Sequence, residues 1–167
     1  LSVSNETSGK SVAIGMNTQL APFDDPRVRE AMTLLIDREQ IVSNAYGGNA
    51  KVGNDLFGWF DPIYASLPQR TYDPERAKQL LAEAGYENLT LTLPTTGVAP
   101  GVNEMVTLFA ASAAEAGVTI TVQQQEFGEY YSTPPAERQW GPTYWLASPI
   151  SSQINNQMSQ QAIDAGT

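Results

Sequence analysis

Leu89-Thr90-Leu91-Thr92-Leu93 and Val118-Thr119-Ile120-Thr121-Val122 are the two segments that decide the fold class of this chain. Apolar residues and threonines alternate in both, as they do in β-strands that have two different faces. Between the segments, apolar or small residues recur at helical spacing, at Met105, Leu108, Phe109, Ser112 and Ala116, and Gly117 ends the series. A strand, a helix and a second strand in this order predict a right-handed parallel β-α-β unit. The sequence therefore predicts an α/β fold, with a small mixed or parallel sheet flanked by helices.

Three aspartates mark the starts of the helices predicted before this unit. Asp25 and Asp73 each precede a proline, which suits the first helical position because its missing N–H would be unpaired there. Asp37 is followed by Gln40 at the spacing of a capping box. We expect strands over 11–17 and 143–147, a short helix over 127–131, and an irregular segment over 49–71, where Gly and Pro recur.

The composition argues against several classes of function. The 167 residues include 9 Lys and Arg against 18 Asp and Glu, a net charge of −9, which argues against a nucleic-acid-binding surface. The absence of Cys excludes disulfides and thiolate metal sites, and the absence of His removes the usual general base near neutral pH. We therefore predict no enzyme activity, no catalytic residue, no cofactor and no bound metal.

The length fits one domain, or one lobe of a larger protein. No apolar run approaches the ~20 residues that span a bilayer. The start, Leu1-Ser2-Val3-Ser4, has neither an initiator Met nor the features of a signal peptide. We expect the sequence to be a piece of a longer gene product.

Several charged and Gly-rich motifs have structural explanations beside their functional ones. Asp24 and Asp25 could act as acid and base, but helix capping accounts for at least one of them. Arg27 and Arg29 could hold an anionic ligand, yet pairing with local acids at a solvated helix start is the better explanation. Residues 97–101 lack the spacing of nucleotide-binding loops, although they follow a strand, where α/β proteins bind ligands.

Aromatic residues cluster in the irregular parts of the chain. Each of them could fill the core or line a pocket of mixed apolar and polar character: Trp59, Phe60, Tyr64, Tyr130, Tyr131, Trp140, Tyr144 and Trp145. Trp145 is the strongest candidate for a ligand contact, because it lies near the end of the last predicted strand, where a ligand-facing rim is expected.

Two long motifs resemble those of a known family. The first runs from Pro22-Phe23-Asp24-Asp25-Pro26-Arg27-Val28-Arg29-Glu30-Ala31-Met32 to Ile36-Asp37-Arg38-Glu39-Gln40-Ile41-Val42. The second is Tyr72-Asp73-Pro74-Glu75-Arg76-Ala77-Lys78-Gln79-Leu80-Leu81-Ala82-Glu83-Ala84-Gly85-Tyr86. In this order they resemble the extracellular solute-binding protein family 5 of ABC transporters, the group of dipeptide-, oligopeptide- and nickel-binding proteins. The resemblance covers residues 11–124 and extends more loosely to 145.

The resemblance implies one lobe of a type II periplasmic-binding-protein-like fold, inserted between the two halves of the other lobe. We expect residues 1–10 to be a polar leader or linker, 11–150 the solute-binding lobe, and 151–167 a Gln-, Asn- and Ser-rich tail towards the hinge. The parent would be a bacterial, extracytoplasmic monomer, either secreted or lipid-anchored. Its partners would be a small solute, a peptide or peptide-like molecule first of all, and an ABC permease in the membrane.

The resemblance also points to ligand-binding residues. The ligand contacts of the family in this lobe lie near the Trp of a late strand, which aligns with Trp145, and just after it, at Leu146 and Ser148. In peptide-binding members an Asp shortly after this Trp pairs with the peptide α-ammonium, and Ser148 stands in its place. Ser has no charge to balance a buried ammonium, so a modified peptide, a sugar or a chelate is an alternative solute. Trp140 and Thr96 are further candidate contacts.

Two other classes of function stay open on the sequence. A structural or protein-interaction domain would use the aromatic residues around 57–64 as a docking patch. An enzyme would have to rely on two carboxylates that face each other across a pocket, as glycosidases do.

Overall fold

The computed structural model describes residues 9–55, 59–62, 64–134, 136–146 and 151–152. The α/β class is confirmed, and no helix within these ranges is long and apolar enough to cross a membrane. Most of the predicted leader (1–10) and tail (151–167) lies outside the described residues. In chain order the helices and strands are β1 (Ser11–Met16), α1 (Pro26–Leu34), α2 (Arg38–Tyr46), α3 (Pro74–Glu83), β2 (Thr90–Thr95), α4 (Val102–Ala114), β3 (Thr119–Gln124), α5 (Phe127–Ser132) and β4 (Trp140–Trp145).

The predicted β-α-β unit is formed by β2, α4 and β3. The two strands are parallel neighbours, with Leu91 opposite Ile120 and Leu93 opposite Val122. The leucines of β2 are buried and the threonines between them are exposed, as the alternation in the sequence predicts. Helix α4 contributes Phe109 to the same hydrophobic core.

The three predicted aspartate caps are confirmed. Asp25 Oδ1 accepts a hydrogen bond from the backbone N–H of Arg27 at 2.8 Å. Asp37 and Asp73 each accept one, at 2.9 Å, from the backbone N–H three residues further along. Such a cap contributes about 1 kcal/mol to helix stability, so these side chains set where α1, α2 and α3 begin.

The second ladder joins two distant segments of the chain. Strand β1 pairs antiparallel with β4, so that Ser11 lies opposite Trp145 and Met16 opposite Trp140. Strand β4 therefore begins three residues before its predicted start at 143. Gly141 and Pro142 interrupt the apolar pattern in the sequence, but pairing with β1 accommodates both of them.

Within the α/β class, the strands form two two-stranded ladders rather than one small sheet. The carbonyls of Leu89 and Thr95 accept hydrogen bonds from backbone N–H groups at the two ends of β3. Backbone groups of successive residues point to opposite edges of a strand, so the nitrogen of Pro94 points away from β3 and towards β4. Proline has no N–H to donate there. A side chain makes the connection instead, since the indole N–H of Trp140 donates to the carbonyl of Thr92 at 2.7 Å.

The core runs from the first helix to the last strand. Its four largest fully buried side chains are Trp140, Tyr130, Phe23 and Phe109. The hydroxyl of Tyr130 donates to the carbonyl of Pro142 at 2.8 Å, so the short helix α5 is fixed against β4. An open cleft lies beside the β1–β4 ladder, and residues of both strands line it.

Candidate functional site

A cleft of ≈ 840 Å³ lies between the β1–β4 ladder and the irregular segment that follows α2. Helices α1, α2 and α4 contribute apolar side chains to it, among them Met32, Ile41 and Met105. This size is typical of sites for small molecules, and the walls combine apolar with polar side chains.

Four residues of β4 line the cleft, namely Trp140, Gly141, Thr143 and Trp145, whereas Pro142 and Tyr144 do not. Trp145 is half-buried at the end of the strand, and its indole N–H donates to Thr143 Oγ1 at 3.1 Å. The strongest candidate from the sequence therefore lies on the cleft, beside the first residue of β1.

The other candidate contacts have different surroundings. Leu146 is 65% exposed directly after β4. Thr96 is buried directly after β2, and it is not among the described residues that line the cleft. Ser148 lies outside the described residues.

Trp140 has the surroundings of a core residue. It is only 2% exposed, and its ring centroid lies 5.1 Å from that of Phe23 and 6.1 Å from that of Phe109. Its one donor group, the indole N–H, is bound to the carbonyl of Thr92. Although Trp140 reaches the inner end of the cleft, these contacts give it a structural role, which is to hold β4 against β2.

The outer wall of the cleft is the segment predicted to be irregular, and its described part between α2 and α3 contains no helix or strand. Asn54 connects the two ends of this segment by hydrogen bonds. The side-chain amide of Asn54 donates to the carbonyls of Leu67 and Pro68, at 3.3 and 2.9 Å. Its Oδ1 accepts from the backbone N–H of Arg70 at 2.9 Å. These bonds hold the two ends of the loop together, so the loop is presented to the cleft as one unit.

Asp55 connects this loop to the helices. Its carboxylate lies 2.7 Å from Arg38 at the start of α2 and 3.1 Å from Arg70. Arg70 also donates to Thr33 Oγ1 at 2.5 Å. This cluster is not predicted by the sequence, because its members are far apart in the chain. The turn-forming pair Asn54-Asp55 was the local signal that could have indicated it.

The charged residues around the start of α1 have structural roles. Asp25 and Arg27 form an ion pair at 2.5 Å, and the hydrogen bond from the Arg27 side chain lowers the pKa of Asp25 to about 2. Arg29 donates instead to the carbonyls of Phe23, at 2.7 Å, and Asp24, at 3.1 Å. The expected pairing with local acids is thus confirmed for Arg27 and wrong for Arg29.

Carboxylates and metal ligands are sparse around the cleft. Asp55 is the only carboxylate among the described residues that line it, and two arginines flank this group. The pair of facing acids that a carboxylate enzyme needs is not formed by these lining residues. The described part of the chain also contains no group of three or more acidic residues that could hold a metal ion.

The aromatic residues expected around 57–64 contribute to the cleft. Trp59 and Tyr64 line it, and Phe60 is 40% exposed beside Trp59. Residues 57, 58 and 63 lie outside the described part. Trp59 and Tyr64 thus contribute to the same cleft as Trp145, whereas Phe60 is not among the described residues that line it.

Comparison with known families shows to which family this chain belongs. The sequence model described as "Bacterial extracellular solute-binding proteins, family 5 Middle" matches residues 1–162. The chain belongs to this family. Heme-binding protein A of Haemophilus influenzae is 35% identical to this family 5 chain over 132 residues, which is 75% of the chain and 24% of that protein. Di/tripeptide-binding protein 2 of Pseudomonas aeruginosa is 32% identical over 140 residues, which is 77% of the chain and 25% of that protein.

The family 5 chain spans about a quarter of the length of these curated relatives. The periplasmic binding protein DppA of Helicobacter pylori, solved with the peptide STSA, is 26% identical. It aligns with a TM-score of 0.75 over 86% of this chain and 29% of that chain. NikA of Staphylococcus aureus, solved with Ni(L-His)2, is 24% identical, with a TM-score of 0.83 over 98% of this chain and 36% of that chain. The likeness to NikA shows the fold alone, and the predicted periplasmic-binding-protein fold is confirmed.

Proposed function

We propose that this family 5 chain is one lobe of a two-lobe receptor that captures a solute for an ABC importer. The cleft of ≈ 840 Å³ with Trp145 on it is the observation that carries this proposal. The cleft lies beside β1 and β4, whose outer ends, Ser11 and Trp145, are paired. A second lobe connected through these ends could close over the cleft by a hinge motion, and a solute bound between the lobes would favour the closed state.

The aromatic residues of the cleft support a solute of mixed character. Trp145 on the strand side, and Trp59 and Tyr64 on the loop side, offer ring faces together with polar tips. Tyr46 Oη is buried on the same cleft, and no described atom forms a hydrogen bond with it, so it offers a further polar group to a solute or a water molecule. A peptide or peptide-like solute is the first choice, and a modified peptide, a sugar or a chelate is the alternative.

The location and partners follow from the same proposal. The family is one of extracellular solute-binding proteins, so the receptor would work outside the cytoplasm, secreted or lipid-anchored. It would act as a monomer and deliver its solute to an ABC permease, without nucleic acid. Leu146 and Ser148, next to Trp145 in the sequence, would complete the contacts on this side of the solute.

A thermal-shift screen of the full-length receptor tests the proposal. The probes are mixed peptides, hemin, nickel with histidine, and sugars. A solute at 100 times its Kd should stabilise the folded protein by about 2.7 kcal/mol, which raises the melting temperature by some degrees. Trp145→Ala should abolish the shift. Tyr144→Ala, on the other face of β4, is the matched control and should retain it.

The same screen can contradict the proposal. A shift that survives in Trp145→Ala would place the solute elsewhere, and the absence of a shift with every probe would count against a solute receptor. The chain alone should bind weakly, with a Kd of about 1 mM or higher, because it supplies one wall of the site. Tight stoichiometric binding by the chain alone would contradict the two-lobe arrangement.

A further inference from the structure

The charges on the cleft have the opposite sign to the charge of the whole chain. The chain carries −9, whereas the described residues that line the cleft include four cations, Lys10, Arg38, Lys51 and Arg138, and one carboxylate, Asp55. Four positive charges and one negative charge leave +3 at the cleft. A positive cleft on an acidic protein focuses the electrostatic potential and attracts anions to the cleft.

Two of the four cations are already used within the protein. Arg38 binds Asp55 at 2.7 Å and the carbonyl of Thr33 at 3.1 Å. Arg138 donates to the carbonyl of Thr133 at 3.1 Å and also to that of Tyr130, and it lies over the ring of Tyr130. Lys10 and Lys51 form no ion pair with any described residue, and both side chains are exposed. The excess positive charge is therefore available at these two lysines.

Lys51 is held in place by an aromatic ring. Its Nζ lies 4.2 Å from the ring centroid of Trp59, a distance typical of a cation–π contact. The ring orients the ammonium group without using its three N–H donors. Lys10 precedes Ser11, which pairs with Trp145, so the second lysine lies at the strand end of the same cleft.

The single carboxylate of the cleft is not available to a cationic solute. Both oxygens of Asp55 are bound, one by Arg38 and the other by Arg70. A solute ammonium group placed in this cleft would find no unpaired carboxylate among the described lining residues, and burying such a group without a counter-charge is costly. The charges of this lobe thus disfavour an ammonium group and favour an anion.

We propose that the solute of this lobe carries an anionic oxygen group, a carboxylate or a phosphate, and that Lys51 on Trp59 receives it, with Lys10 as the second cation. This proposal rests on the proposed receptor function and defines its substrate class. A free ammonium group on the solute contributes little to binding in this lobe. Lys51 therefore selects charged over neutral forms of one scaffold, and Trp145 supplies the apolar contact.

Calorimetric titration of the full-length receptor with matched probes tests this proposal. The probe pairs are trialanine and its C-terminal amide, hemin and its dimethyl ester, and glucose 6-phosphate and glucose. In each pair the charged member is the one with the anionic oxygen group, and in the neutral member this group is masked or absent. The charged member of at least one pair should bind about 10-fold or more tightly than its neutral partner, as a hydrogen bond to a charged group provides. The pair that shows the difference distinguishes a carboxylate from a phosphate. If trialanine binds, N-acetyltrialanine should bind with similar affinity.

Two variants assign the effect to the cleft. Lys51→Gln should remove most of the preference for the charged member. Lys78→Gln, on the exposed side of α3 and away from the cleft, should leave the preference unchanged. Added NaCl should weaken binding of the charged member more in the wild-type protein than in Lys51→Gln, because salt screens exposed charges.

The outcomes distinguish failure of this proposal from failure of the receptor function on which it rests. Equal affinities for the charged and neutral members, unchanged preference in Lys51→Gln, or loss of trialanine binding on N-acetylation would each overturn the anionic solute and leave the receptor function in place. If no probe of either kind binds, the receptor function fails, and the present proposal fails with it.

Discussion

Replacing Trp140 by Phe should destabilise this chain far more than the same replacement at Trp145. At position 140 the change removes the N–H that donates to the carbonyl of Thr92 at 2.7 Å, in a partly buried hydrogen bond. A carbonyl that loses its donor costs about 1–3 kcal/mol where water does not replace the donor. The smaller ring also leaves a space between Phe23 and Phe109, which adds roughly 1 kcal/mol where the surroundings relax only in part. We expect the free energy of unfolding to fall by about 2–4 kcal/mol in total.

Trp145→Phe is the matched control. The indole N–H of Trp145 donates to Thr143 Oγ1 at 3.1 Å in a half-buried position that opens onto the cleft, so water can replace this bond. The expected loss is below about 1 kcal/mol. Urea unfolding of the purified chain, followed by circular dichroism, measures both variants. With an m-value of about 1–3 kcal/mol per molar urea, the midpoint of Trp140→Phe should fall by roughly 1 M or more.

Equal midpoints for the two variants would refute the assignment of Trp140 to the core and of Trp145 to the cleft. A loss below about 1 kcal/mol for Trp140→Phe would show that the carbonyl of Thr92 finds another donor. The m-values of the two variants should agree with that of the wild-type chain, because both changes act on the folded state.

Gly101→Ala should destabilise the chain more than Gly85→Ala, although both glycines have nearly the same φ angle, 83° and 84°. At position 101 an added Cβ would lie 2.7 Å from Tyr46 Cε1, whereas at position 85 it would have no atom within 4 Å. Equal urea midpoints would contradict the close contact. The stability supplied by the Asp25 carboxylate should be fully present above its unfolded pKa of 3.8 and decline as the pH falls through its folded pKa of about 2. Melting temperatures of the wild-type chain and Asp25→Asn should therefore converge near pH 2, and a gap that persists there would argue against the ion pair with Arg27.

Local patterns predicted the parts of this chain whose structure depends on interactions between residues close in the sequence. The caps at Asp25, Asp37 and Asp73 are made with residues two or three positions away, so the sequence contains both partners of each bond. The alternation of Leu and Thr in β2 predicts its buried and exposed faces for the same reason. The family motifs add the fold family to these local rules, since they consist largely of the capping and core residues themselves.

Interactions between distant segments could not be predicted in the same way. Arg29 has acids nearby in the sequence but donates to the carbonyl of Phe23, because the turn before α1 brings this carbonyl within reach. The contact of Asp55 with Arg38 and Arg70 depends on how the long loop folds back on α1 and α2. The positive character of the cleft also depends on distant segments, since its cations come from the residue before β1, from α2, from the loop and from the turn before β4.

The two tryptophans of β4 show most clearly which features follow from the sequence and which depend on the tertiary structure. The sequence by itself predicted the outer part of this strand, the helices and their caps. Once pairing with β1 extends the strand to 140, its alternation places residues 140 and 145 on opposite faces. Only the tertiary structure decided which face became core. Phe23 and Phe109, both distant in the sequence, enclose Trp140, while the long loop after α2 leaves a cleft in front of Trp145. The strand period is a property of the backbone, whereas burial depends on the segments that pack against each face.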